Sequence, residues 1–166
     1  MRHAVSRILP YTPDQLFALV GDIEAYPQFV PWVSALRTWN HQTLCPGVDV
    51  LDAEVTVAFA IVRERFSTRV SRNRTARQID VSLIAGPFRH LANRWGFTPE
   101  GAGETRVAFE IDFEFKSRLL AGLLTANMSA AVERLLTCFD DRARALYSSP
   151  VAPHLDLPQS GLIDGV

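Results

Sequence analysis

The side chains of this chain whose chemistry can be tested first are four histidines, two cysteines and a run of arginines. A covalent catalyst needs a Ser or Cys nucleophile, a His base and an acid that orients the base. His3, His41, His90 and His154 fall on a strand start, a loop-like segment, a turn and the C-terminal tail, and none sits in a motif that marks catalysis. Cys45 and Cys138 lie far apart and form no CxxC pair. They point to neither a zinc site nor a disulfide framework, and a reducing, cytoplasmic setting is expected. No His/Asp/Glu cluster has metal-ligand spacing, and the scattered glycines make neither GxGxxG nor a P-loop. The expectation is no enzyme, no catalytic residue, no metal and no cofactor.

The arginines Arg63, Arg65, Arg69, Arg72, Arg74 and Arg77 cluster on two adjacent expected strands and the turn between them. One reading is a solvated outer face paired across strands with carboxylates such as Glu54 and Glu64. The other is a surface for an anionic partner, either RNA or phospholipid headgroups. The formal net charge of −1 gives no global field that would recruit nucleic acid, so no DNA partner is expected. More abundant than charge is apolar surface directed inward. Phe59, Leu91, Trp95, Phe97, Phe109 and Phe113 on strands, and Leu120, Leu124, Met128 and Val132 on a helix, either fill a core or line a ligand site. Phe29 and Trp32, in the Tyr26-to-Trp32 stretch that holds Pro27 and Pro31, belong to a packed corner or to an entrance lid that contacts ligand or membrane.

The elements that position these residues follow from periodicity. A strand over His3–Leu9 precedes Thr12-Pro13-Asp14, a helix start with Thr12 as N-cap and Pro13 at the first helical position. Leu16, Phe17 and Val20 share one face of that helix, Gly21-Asp22 ends it, and Tyr26 to Trp32 reads as a second short helical turn. Period two then holds to about residue 115. Leu51, Ala53, Val55, Val57, Phe59 and Ile61 share a face opposite Asp52, Glu54 and Thr56, and Val107 to Phe115 alternates most regularly. Weaker strands near 64–72, 77–84 and 89–98 complete a meander. From Ser117 the period becomes 3.6, with Leu120, Leu124, Met128, Val132, Leu135, Leu136, Phe139, Ala143 and Leu146 in one stripe of one long helix. The expected domain is 1–147, followed by a disordered Pro/Ser/Gly/Asp-rich tail over 148–166.

This order predicts an α+β fold: a curved antiparallel sheet of about seven strands that grips the long C-terminal helix, with two short helices after the first strand. Such a sheet encloses more volume than side chains readily fill, and ligand cavities run to about 300–1,000 Å³. At about 24 cal/mol per Å³, an empty space of about 400 Å³ would cost roughly 10 kcal/mol, as much as the stability of an ordinary domain. A lipid-like occupant returns about 0.8 kcal/mol per buried methylene.

Three motifs carry a family resemblance: Glu24-Ala25-Tyr26-Pro27-Gln28-Phe29-Val30-Pro31-Trp32, Gly86-Pro87-Phe88-Arg89-His90-Leu91 with Trp95-Gly96-Phe97, and Asp112-Phe113-Glu114-Phe115-Lys116-Ser117 before Leu119-Leu120. Through Phe139-Asp140-Asp141-Arg142-Ala143 the chain resembles the START-like, helix-grip superfamily over residues 3–147. Within it, the chain resembles the coenzyme Q-binding and ribosome-association-toxin branch, also labelled polyketide cyclase/dehydrase. Val33 departs from the branch, many of whose members carry Cys there. The resemblance implies a prenylquinone such as ubiquinone, or another lipid-like ligand, held between sheet and helix in support of respiration, with peripheral contact to the inner membrane. Its toxin members imply instead a partner in the large ribosomal subunit, and its third label implies cyclase or dehydratase chemistry.

Overall fold

The structure, a computed structural model, describes residues 1–59 and 61–148. Strand β1 (Arg2–Leu9) leads into α1 (Pro13–Gly21), a 3₁₀ turn (Ile23–Ala25) and α2 (Tyr26–Phe29). The start of α1 is fixed by a reciprocal cap, in which the Thr12 hydroxyl accepts from Gln15 N at 3.2 Å and Gln15 Oε1 accepts from Thr12 N at 3.0 Å. Leu16, Phe17, Leu19 and Val20 of α1 are buried.

Six strands follow: β2 (Val33–Cys45), β3 (Val48–Phe59), β4 (Val62–Asn73), β5 (Gln78–Ala85), β6 (Phe88–Gly101) and β7 (Glu104–Phe115). They form one antiparallel sheet in the order β1-β7-β6-β5-β4-β3-β2, so the first strand pairs with the last, Val5 opposite Phe109. Period two along β7 buries Val107, Phe109 and Phe113 on the concave face. At Gly86 the backbone has φ +149°, and a Cβ there would lie 2.5 Å from Phe66 Cβ and 3.1 Å from its Cα, so the β5–β6 turn needs glycine to close on the β4 backbone at Phe66.

Helices α3 (Arg118–Thr125) and α4 (Met128–Tyr147) lie across the concave face. Phe139 of α4 stands edge-on to Tyr26 and Phe29 at 5.2 and 5.1 Å and 5.0 Å from Trp95, while the Tyr147 hydroxyl donates to Gln15 O of α1 at 3.0 Å. The helix-grip architecture is therefore present.

Three expectations need correction. The single C-terminal helix is two helices bent by 67°, and Leu146 of its stripe is exposed. The break falls where Thr125 turns its hydroxyl back to Ala121 O at 2.5 Å and Asn127 leaves helical geometry at φ −123°, ψ 10°. Both residue types compete with helical hydrogen bonds, a local effect that an unbroken apolar stripe conceals. The inward face of β3 stops at Phe59, and Ile61 is 94% exposed in the hairpin turn. Asp52, expected on the solvated face, is buried, because a bulge in β2 puts Asn40 at φ 55° and its amide donates to Asp52 at 3.0 Å. The tail expected over 148–166 lies outside the described residues beyond Ser148.

Candidate ligand cavity

The sheet and the bent helix pair enclose two adjoining chambers. The inner one, about 310 Å³, is walled by Val55, Val70, Val81, Leu91, Trp95 and Phe113 from the sheet and closed by Tyr26 and Phe139. The outer one, about 400 Å³, lies between the β3–β4 hairpin and the helices, with Phe59, Val62, Leu120, Leu124, Ala131 and Val132 on its walls. Trp32, Phe66, Phe88, Phe109, Ile111, Met128 and Leu135 line both, so the chambers are continuous.

Of the side chains singled out in the sequence, Trp32, Phe109 and Met128 stand between the chambers, Leu91, Trp95 and Phe113 line the inner one, and Phe59, Leu120, Leu124 and Val132 the outer one. Two are elsewhere. Phe97 packs edge-on against Phe17 of α1 at 6.1 Å, beyond the floor of the inner chamber. Phe29 packs on Phe139 beneath Arg142, whose guanidinium lies 5.4 Å from its ring, and the corner it belongs to is packed: the Tyr26 hydroxyl donates to Val20 O. Burial pushes that phenol well above the ordinary tyrosine value.

Polar groups on the walls are few. Asn93 projects into the inner chamber from β6, between Leu91 and Trp95 in the strand's inward phase, and its Oδ1 is buried without a hydrogen-bond partner. An unpaired amide oxygen costs about 1–3 kcal/mol in such a wall. A search for apolar side chains passes over Asn93, although the period-two phase of β6 marks it as inward-facing. In the outer chamber stand Glu64 and Arg134, the latter with its guanidinium 5.6 Å from the Trp32 ring. Among the described residues no three His, Cys, Asp or Glu side chains group closely enough to hold a metal. Burial raises the Cys138 thiol pKa, which disfavours its thiolate.

The arginine cluster does not converge on one surface. Arg63, Arg65 and Arg69 point to the convex side; Arg69 grips Asp52 through Nε at 2.8 Å and Nη2 at 3.1 Å, and Arg65 approaches Glu54 at 3.9 Å. Hydrogen bonds from Arg69, then Asn40, hold the Asp52 carboxyl below the usual carboxylate range. Arg72 has the opposite strand phase, pairs with Asp49 and donates to Gly21 O at 2.8 Å, fastening the end of α1. Arg74 lies 5.5 Å from the Phe17 ring, and Arg77 sits in the β4–β5 turn at φ 51°.

The family described as polyketide cyclase / dehydrase and lipid transport matches residues 9–140. The chain belongs to that family. Its START-like superfamily and the branch read from the motifs are shown by these likenesses. The chain is 34% identical over 144 residues to the ribosome association toxin RatA of Rickettsia prowazekii, covering 84% of this chain and 93% of the toxin. It is 26% identical over 156 residues to the mitochondrial coenzyme Q-binding protein COQ10 homolog B of Xenopus laevis, covering 92% and 62%. Among solved structures, an 18 kDa protein of Caulobacter crescentus is 52% identical with a TM-score of 0.76, covering 90% of this chain and 99% of that one. A Streptomyces aromatase/cyclase, 15% identical with a TM-score of 0.69 over 91% and 100%, shares the fold.

Proposed function

We propose that this protein holds a hydrophobic small molecule, a prenylated quinone of the ubiquinone type, in the joined chambers and supports respiratory electron transport as its carrier or chaperone. The observation that carries the reading is a continuous apolar space with one unpaired polar atom, Asn93 Oδ1, in its inner part. That asymmetry suits an amphiphile whose ring lies inward and whose chain runs outward past Met128 and Leu124. A carboxamide suits both redox forms of such a ring, donating to a quinone carbonyl or accepting from a quinol hydroxyl. No covalent step is asked of the chain. The ionisable groups on the lining are Tyr26, committed to Val20, with Glu64 and Arg134 in the outer chamber.

The test is native purification from a quinone-containing host, organic extraction and mass spectrometry, with Leu124→Asp as control. Near-stoichiometric prenylquinone in the wild type, lost in the variant, is expected. A wild type without quinone, or a folded variant that retains it, refutes the reading.

Near-complete coverage of a ribosome association toxin favours a second reading, in which the chain binds the large ribosomal subunit and blocks subunit joining. The surface for that partner is the convex face with Arg63, Arg65 and Arg69. Co-sedimentation with large subunits that falls steeply with salt and is lost in Arg63→Glu/Arg65→Glu would support it; no co-sedimentation at moderate salt would end it.

A further inference from the structure

We infer that the open end of the chambers docks on an anionic lipid bilayer, with the β3–β4 hairpin tip and the outer face of α3 inserted among the headgroups. Helix α3 carries leucines on two faces. Leu120 and Leu124 turn into the outer chamber, while Leu119 and Leu123, one turn apart on the adjoining face about 100° round the helix, are 73% and 46% exposed. An apolar arc that wide belongs in a protein interior or at a lipid surface, and protein covers only its Leu120/Leu124 part. The hairpin tip repeats the arrangement: Phe59 and Val62 line the chamber, and Ile61 beside them is the most exposed large apolar side chain among the described residues.

Both elements stand at the same end of the sheet. Phe59 pairs with Val62 to close the hairpin, and Phe88 pairs with Phe115 where β7 hands over to α3, tied by Lys116 N donating to Pro87 O at 2.8 Å. Charge selects the kind of partner. Ion pairs at this end join Arg65 to Glu54 and Arg89 to Glu114, and Glu64 faces the chamber. Arg63, Lys116 and Arg118 are exposed and outside any ion pair among the described residues, and Lys116 is the only lysine of the chain. Cations that flank protruding leucines and an isoleucine match a headgroup layer above acyl chains. RNA phosphates would engage the cations and leave the apolar tips in water. In this orientation the outer chamber opens toward the bilayer, so a greasy ligand passes between lipid and protein without crossing water.

The test is co-sedimentation of the full chain with vesicles of phosphatidylcholine alone and of phosphatidylcholine with phosphatidylglycerol. Binding to the mixed vesicles is expected, weaker in high salt and on the neutral ones. Ile61→Asp/Leu119→Asp, both at exposed sites, should lower it at least about tenfold with an unchanged thermal melt. Arg63→Gln/Lys116→Gln/Arg118→Gln should remove the preference for phosphatidylglycerol. No binding to either vesicle, or binding that these variants leave intact, overturns the inference. So does light scattering that shows a dimer split by Ile61→Asp/Leu119→Asp, or large-subunit co-sedimentation lost in that variant. Leu124→Asp separates the two proposals: it should lose co-purifying quinone and still bind vesicles, whereas Ile61→Asp/Leu119→Asp should keep its quinone.

Discussion

The concave face of one sheet is closely packed where α1 and α4 meet β6 and β7 and hollow at the other end, and beside the packed part a polar groove of about 460 Å³ lies open between α1 and β2–β4. At the packed end Leu16, Leu19 and Val20 of α1 and Leu136 and Phe139 of α4 meet Trp95, Phe97 and Val107, leaving a void of about 20 Å³. At the hollow end the same strands face chambers of about 310 and 400 Å³. The strands supply large apolar side chains throughout, so the difference lies in what covers them. Two helices cover the packed end. Over the hollow end α4 offers Ala130 and Ala131, and α3 bends away by 67°. By cavity cost alone the inner chamber would forfeit roughly 7 kcal/mol if it stayed empty, so the packed end has to hold the fold against that cost.

The largest effect should come from breaking the packed end. Phe17 is buried edge-on to Phe97 with Arg74 above it, and Phe17→Ala should cost about 3–5 kcal/mol in urea unfolding. Leu120→Ala, on the chamber wall, should cost under about 1 kcal/mol, because Leu120 already borders open space. Equal losses at the two sites would mean that the hollow end packs as tightly as the other.

The inward apolar surface was largely legible in the sequence at both ends, and which end stays hollow was not. Thr12-Pro13 announces α1 because its capping chemistry is local, and the alternation of Val107 to Phe115 names the concave face because a strand has only two. Ten of the twelve apolar side chains proposed for a ligand site line a chamber; Phe29 and Phe97 do not. Phe97 has the inward strand phase of the others, but which end of the face a residue occupies depends on the helix above it, a long-range matter; Phe29 lies on α2, where no strand phase applies. The arginines mislead for the complementary reason. Proximity in sequence groups six of them, whereas strand phase sends Arg69 to Asp52 on one side and Arg72 to Gly21 on the other. The bend between α3 and α4 hid behind an apolar stripe that keeps its period through Asn127, so period alone could not show that the stripe passes from open chamber to core.

A middle-sized effect should appear at the joint between the two ends, where the Tyr26 hydroxyl donates to Val20 O. The Tyr26 ring keeps some exposure, but burial of its phenol, aided by the Asp22 charge, raises the pKa, so above about pH 10 the folded state holds a proton that the unfolded state has lost. The stabilisation is complete below about pH 10 and declines by roughly 1.4 kcal/mol per pH unit above it until the folded group titrates. Tyr26→Phe should cost about 1 kcal/mol at pH 7 through the lost hydrogen bond, and this deficit should narrow above pH 10. Denaturant midpoints at pH 7 and at about pH 11 decide it; parallel pH profiles would show that Tyr26 carries none of the alkaline loss.

The smallest effect sharpens the contrast by making the hollow end resemble the packed one. Ala131 lies on the chamber wall, and Ala131→Leu adds methylenes that would bury about 0.8 kcal/mol each, set against up to about 1 kcal/mol of lost side-chain entropy. A net gain of about 1 kcal/mol raises the melting temperature of a domain this size by roughly 2–4 °C. The same methylenes fill part of the chamber, so under the proposed function co-purifying quinone should fall as the melting temperature rises. Stability and occupancy moving in opposite directions would mark the chamber as space kept open for a ligand at the expense of stability. A variant both less stable and equally loaded would show that the room beside Ala131 is already taken by protein.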